Sequence, residues 1–213
     1  MPEELSRAYR ERESLLKSTA AMLEEELHEI FKTTRHVDRI SFRAKTLKSF
    51  LAKATDEENQ PGYQDPLREI EDQIAGRVIV FFLSDIPVIC EKMCKNFTPV
   101  EYRKRRPAKD EEFGYESEHL ICVMPPHMQS DEWVARGDMP STFELQIRTI
   151  FMHAYAEPQH DMAYKAVAEL PSEIRRELAW IAASAWGADQ AHERFWTWYS
   201  RQYPEAPDPN TAA

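Results

Sequence analysis

Phe143-Glu144-Leu145-Gln146-Ile147-Arg148 alternates apolar and polar side chains without a break. A period of two is met by a β-strand and not by a helix, so this run constrains the chain to carry a sheet. Phe143, Leu145 and Ile147 then face a core, and Glu144, Gln146 and Arg148 share the opposite face. Two readings of that polar face stand side by side. It is the solvated side of a half-exposed edge strand, or it is a working surface on which an acid, an amide and a guanidinium hold a metal, a proton acceptor and a phosphate together.

The remaining pattern predicts a mixture of helices and strands. Residues 2–34 read as one amphipathic helix, with Leu15, Leu16, Met22, Leu23, Leu27, Ile30 and Phe31 at helical spacing. A strand is expected over 37–42, then a helix over 44–54 that brings Ser49 and Lys53 to one side. Residues 55–66 form a polar loop around Pro61-Gly62. The apolar run in 76–83 reads as a buried strand, and Ser84 as the cap of a helix reaching Asn96. Further strands are expected over 100–103, 118–124 and 142–148. They are separated by a charged loop over 104–112 and by an insertion over 125–140 containing a short helix. A helix begins at Thr149 with a kink at Pro158. A last helical region spans 170–203, opened by Leu170-Pro171-Ser172-Glu173. Its Trp180, Trp186, Trp196 and Trp198 are expected mostly to pack on the sheet, any surplus marking an interface with a second copy or a partner. The tail from 204 is expected to be disordered. Strands interleaved with helices make the class α/β (α+β).

With 213 residues the chain suits one domain with helical extensions. It holds no apolar run of about 18 residues. Its charged start, MPEELSRAYRERESLL, lacks a signal-peptide core. Three cysteines do not suggest a disulfide framework. Cys90 and Cys94 read as core residues, because two thiols without a second pair make a poor zinc site. Together these features lead to an expected cytoplasmic location. The net charge of −10 argues against broad nucleic-acid binding. The cations are clustered, however: Arg35, Arg39, Arg43, Lys45, Lys48 and Lys53 crowd one segment, and Arg103, Lys104, Arg105, Arg106 and Lys109 another. Basic patches on an acidic chain suit a polyphosphate pocket, or are simply solvated faces.

Four segments in order carry a resemblance. They are VDRISFRAKTLKSFLAK (37–53), DQIAGRVIV (72–80), FGYESEHLICV (113–123) and FELQIRT (143–149). Together they resemble the synthetase domain of the RelA/SpoT family, alarmone synthetases that move a pyrophosphate from ATP to a nucleotide 3′-hydroxyl. The resemblance implies a mixed, roughly five-stranded sheet flanked by helices and related to nucleotidyltransferases. It sets the core at 35–168, with a helix over 1–34 before it and the helical region 169–203 after it.

The resemblance also implies site roles. Asp72 and Glu144 would be the catalytic carboxylates and hold Mg2+, with Glu144 placed to take the proton of the attacking hydroxyl. Arg43, Lys45, Ser49, Lys53 and Arg77 would bind ATP, the two arginines flanking the adenine and the lysines on the phosphates. Tyr115 in Gly-Tyr-x-Ser-x-His would stack on the acceptor base, and His119 would meet its phosphates. Gln146, Arg148, His153, Arg105 and Lys109 are further acceptor-side candidates, and His160 shares a helix face with His153. One departure is visible: the small residue before the strand arginine is Gly76, after Ala75, where the family commonly has glycine and then an aliphatic residue.

The implied function is transfer of the β,γ-pyrophosphate of ATP to GDP or GTP. The loop before Gly114, RKRRPAKDEEFGY, lacks the family's common guanosine-holding pattern. That leaves open the family's toxic small synthetases, which modify the 3′-CCA end of tRNA or an adenosine nucleotide and act with an antitoxin partner. It also leaves open an inactive nucleotide-binding module. The family's hydrolase and regulatory domains are expected to be absent, His160-Asp161 being read as part of the synthetase.

Overall fold

The computed structural model describes residues 2–55, 62–107, 109, 112–114, 116–162 and 170–204. The expected loop at 56–61, Tyr115 and the tail from 205 lie outside them. In chain order the elements are α1 (Pro2–Phe31), β1 (Val37–Ala44), α2 (Leu47–Ala54), α3 (Pro66–Glu69), a 3-10 turn (Glu71–Gln73), β2 (Ile74–Val80), α4 (Asp85–Asn96), β3 (Pro99–Arg105), β4 (Ser117–Val123), a 3-10 turn (Pro126–Met128), α5 (Asp131–Arg136), β5 (Thr142–Thr149), α6 (Ile150–Met162) and α7 (Ser172–Gln202).

The five strands form one mixed sheet in the order β1-β2-β5-β4-β3. β2 and β5 run parallel, and the other neighbours are antiparallel. The alternating run is therefore the central strand. This overturns the edge-strand reading: Glu144 and Arg148 are buried although both are polar. Alternation reports which side chains share a face, and it is silent on how many strands lie beside them.

One face of the sheet is apolar. Ile40, Val78, Val80, Leu120, Cys122, Phe143, Leu145 and Ile147 join one core with Tyr9, Leu16, Leu23, Leu27 and Phe31 of α1 and with Ile86, Ile89 and Met93 of α4. Gly76 belongs to this face, and a Cβ there would sit 2.3 Å from Cζ of Phe42. The displaced glycine thus makes room for an aromatic ring. α1 also ties the sheet by polar contacts. Arg12, wholly buried, donates to the Gln73 side chain and to the carbonyls of Asp138 and, at 3.0 Å, Leu67.

Several boundaries differ from the sequence expectation. α1 stops at Phe31 rather than Thr34. β1 continues to Ala44, and α2 begins only at Leu47, because the Thr46 side chain caps it by accepting from the Ser49 amide at 3.2 Å. β2 starts at Ile74 and ends at Val80, ahead of Phe81, Phe82 and Leu83. α4 begins at Asp85 as expected, but Ser84 makes no side-chain cap; Asp85 instead accepts from the Phe82 amide at 3.0 Å, in the turn that precedes the helix. β3 runs on to Arg105, so Lys104 and Arg105 are strand residues opposite Glu118 and Ser117. Cys122 is core and the half-buried Cys90 packs against that core, whereas Cys94 is exposed. α7 departs most. Trp180 is 71% exposed, Trp198 55% and Trp186 45%, and the buried residues of this helix are Ala182 and Asp189. Its aromatics are mostly surface, not core. Among the described residues no helix is long and apolar enough to cross a membrane.

Candidate active site

Strand register collects the polar residues on the face opposite α1. Ser41 lies across from Arg77, Arg77 from Gln146, Gln146 from His119 and His119 from Arg103. One residue pair away, Arg43 lies across from Ala75, and Ala75 from Glu144. Each strand has its own alternation, and pairing aligns them into one polar surface.

Asp72 stands at the edge of this surface, in the middle of the 3-10 turn that leads into β2. Its φ of −91° and ψ of 26° break the helical geometry there. Its two oxygens are 2.6 Å from Lys45 Nζ and 3.0 Å from Lys53 Nζ. Burial pushes the Asp72 carboxyl up, but the two lysines outweigh it and hold it below the usual carboxylate range. Burial likewise lowers Lys53, and Asp72 more than offsets that, leaving Lys53 raised.

Glu144 is 7% exposed, and its Oε1 meets His119 Nδ1 on the neighbouring strand. The other ring nitrogen of His119 lies 2.6 Å from Ser117 Oγ. Burial raises Glu144 and Asp72 adds to that. The hydrogen bond and charge of His119, with Lys53, prevail and keep the carboxyl lowered. Both carboxylates are therefore poised in their charged form.

The other sequence-predicted residues are placed as follows. Arg43, Ala75, Gly76, Arg77 and Gln146 line a cleft of about 150 Å³. Arg77 donates to Glu157 of α6 at 2.6 Å. Ser49 faces its own helix cap, its hydroxyl 2.9 Å from that of Thr46. Arg148 donates to Gln146. His153 lies on α6 with its Nδ1 3.7 Å from Glu157. Burial lowers the His153 pKa, and Arg148, Arg77 and Arg39 add to that. Arg105 is exposed at the end of β3. Lys109 meets Glu112 at 3.3 Å. Tyr115 and the His160 side chain lie outside the described residues.

Three contacts had not been anticipated. Ser117 holds His119, and its place two residues before the histidine on a strand was a usable signal. Glu157 holds Arg77, and its spacing of four from His153 put both on one helix face. Arg103 reaches Glu71 at 2.9 Å, a contact with no local signal.

Asp72 and Glu144 fit a magnesium ion, which takes one or two carboxylates and completes its shell with phosphate oxygens and water. Among the described residues no three His, Cys, Asp or Glu gather to cage a metal by themselves. Cations, paired carboxylates and a cleft on one sheet face can bind a polyphosphate and accept a proton beside it.

A family model described as the region found in RelA / SpoT proteins matches residues 42–169. GTP pyrophosphokinase YjbM of Bacillus subtilis (strain 168) is 30% identical over 159 residues, 72% of this chain and 69% of that protein. A GTP pyrophosphokinase family protein from Streptococcus pneumoniae superposes with a TM-score of 0.75 at 20% identity, covering 94% of this chain and 98% of that one. The small alarmone synthetase 1 of Bacillus subtilis, in a structure bound to its product pppGpp, does so with a TM-score of 0.72 at 21% identity, covering 91% and 99%.

Proposed function

From the premise that the chain belongs to the RelA/SpoT family, we propose that it is a pyrophosphokinase that moves the β,γ-pyrophosphate of ATP to the 3′-hydroxyl of GDP or GTP. The observation that carries this reading is the pair of charged carboxylates, Asp72 under two lysines and Glu144 on His119, on one face of the sheet.

Such a transfer needs bound phosphates, an oriented hydroxyl and a group to take its proton. Arg43 and Arg77 frame the cleft in which the adenine would sit, their guanidinium planes suited to stacking. Lys45 and Lys53 turn from Asp72 toward the phosphates when ATP arrives. Asp72 and Glu144 would hold magnesium, which supplies charge neutralisation on the phosphate oxygens. Glu144 accepts the proton of the attacking hydroxyl, His119 keeping its carboxylate ionised and aimed. Gln146, Arg148 and His153 form the acceptor side.

A nucleotide acceptor is favoured over an RNA backbone because most of the basic cluster is already paired within the chain. Arg103 meets Glu71 and Glu101, Lys104 and Arg106 lie within 4 Å of Glu118, and Lys109 meets Glu112. The test offers γ-labelled ATP and magnesium with GDP, GTP, ADP or deacylated tRNA in separate reactions. Label on GDP or GTP supports the proposal, and label on tRNA alone replaces it with the toxin reading.

A further inference from the structure

Tyr9 and Arg12 lie on α1, ahead of the segment 42–169 that matches the family. Both end on the backbone that carries the Asp72 cluster. The Tyr9 hydroxyl donates to the Lys45 carbonyl at 2.6 Å. Its ring stacks on Phe50 with centroids 4.1 Å apart, and Phe50 sits on α2 between Ser49 and Lys53. Arg12 donates to the side chain of Gln73, the residue after Asp72, and to the Leu67 carbonyl. The Gln73 amide in turn donates to the carbonyls of Leu67 at 2.9 Å and Ile70 at 2.8 Å, and its own carbonyl accepts from the Lys45 amide at 2.8 Å. One closed set of bonds thus joins α1 to Lys45, to the helix bearing Lys53, and to the turn bearing Asp72.

We propose that Tyr9 and Arg12 are positioning residues for the phosphate-and-metal half of the site: they set the spacing of Lys45, Lys53 and Asp72 without touching substrate. This rests on the pyrophosphokinase reading above. The physical case is the cost of leaving either group unused. Arg12 is a cation with no exposed surface, and Tyr9 is equally buried. A guanidinium taken wholly from water is costly to hold, and a hydrophobic residue of similar size would pack there more cheaply. Arg12 turns its two terminal nitrogens to the turn around Asp72 and to the Asp138 carbonyl beyond it, while its buried Nε makes no hydrogen bond among the described residues. The turn is also held from the other side, where Glu71 meets Arg103, so Asp72 is fixed at both neighbours.

The test compares Tyr9→Phe, Arg12→Met and Arg12→Lys with the unaltered chain. Calorimetry with ATP and magnesium, and separately with GDP, reads each half of the site without turnover. Melting temperature reads packing. Tyr9→Phe keeps the ring on Phe50 and removes one hydrogen bond. It is expected to weaken Mg-ATP affinity about three- to tenfold, with GDP affinity unchanged. Arg12→Met is expected to do the same or more, and Arg12→Lys to restore part of the loss. Unchanged Mg-ATP affinity in Tyr9→Phe, or equal losses for ATP and GDP, would overturn the proposal. If Arg12→Met does not fold, Tyr9→Phe decides alone. An unaltered chain that binds no Mg-ATP would refute the functional reading itself, whereas binding that the variants leave intact refutes only the positioning role.

Discussion

Arg77 and Glu157 meet at 2.6 Å, joining β2 to α6 through a carboxylate that is 47% exposed. In the proposed site, ATP would compete with that carboxylate for Arg77. Glu157→Gln removes the competitor, and partly exposed pairs of this kind are worth little. The KM for ATP should therefore fall about two- to fivefold. A higher KM in initial-rate measurements would mean instead that Glu157 orients Arg77 for the nucleotide.

Glu144→Gln keeps shape and removes the proton acceptor. Turnover should drop by about 10²- to 10⁴-fold, while ATP still binds in a calorimetric titration. Transfer at the original rate would assign the proton to another group.

The lowered carboxyls of Asp72 and Glu144 set an acid limb. The proposed reaction needs both charged, and both pKa values lie below their ordinary ones. Their contribution to stability and to activity is present above the ordinary carboxylate range and is lost as pH falls through the lowered values. Once the phosphate ionisation of the substrates is allowed for, the acid limb of the kcat/KM profile should lie below the ordinary carboxylate range. A limb centred near neutrality would contradict the charged pair.

Asp189 shows the opposite sign. It is buried on α7, takes a hydrogen bond from Thr149 at 2.8 Å, and has its pKa pushed up to about 6 by burial, with Glu116 adding to that. A raised folded value means that its contribution is complete below 3.8 and lost as pH rises through about 6. Asp189→Asn should melt a few degrees above the unaltered chain at pH 8 and show no such gain at pH 4. Equal shifts at both values would remove Asp189 as the source.

Much of the site was legible because its signals are local. The alternation in β5 put Glu144, Gln146 and Arg148 on one face, and Asp72 stood out at the end of the loop before an apolar strand through the family resemblance. Elements with a single strong period, such as α1, α4 and β5, came out within a few residues. The errors fell where a tertiary partner decides. Thr46 displaced the expected start of α2 by capping it at Leu47. The tryptophans of α7 looked like core by composition, yet that helix buries chiefly Ala182 and Asp189, and no local pattern records how far a helix stands from the sheet.

By itself the sequence determined the residue chemistry and the two periodicities, because side-chain direction follows from backbone geometry over a few residues. Only the tertiary structure decided that β5 is central, that His119 meets Glu144 from the next strand, and that Lys45 and Lys53 converge on Asp72. It also decided that Arg12 of an outwardly ordinary amphipathic helix is buried against the turn of Asp72. These contacts depend on strand order and register, which are set by the packing of segments far apart in the chain.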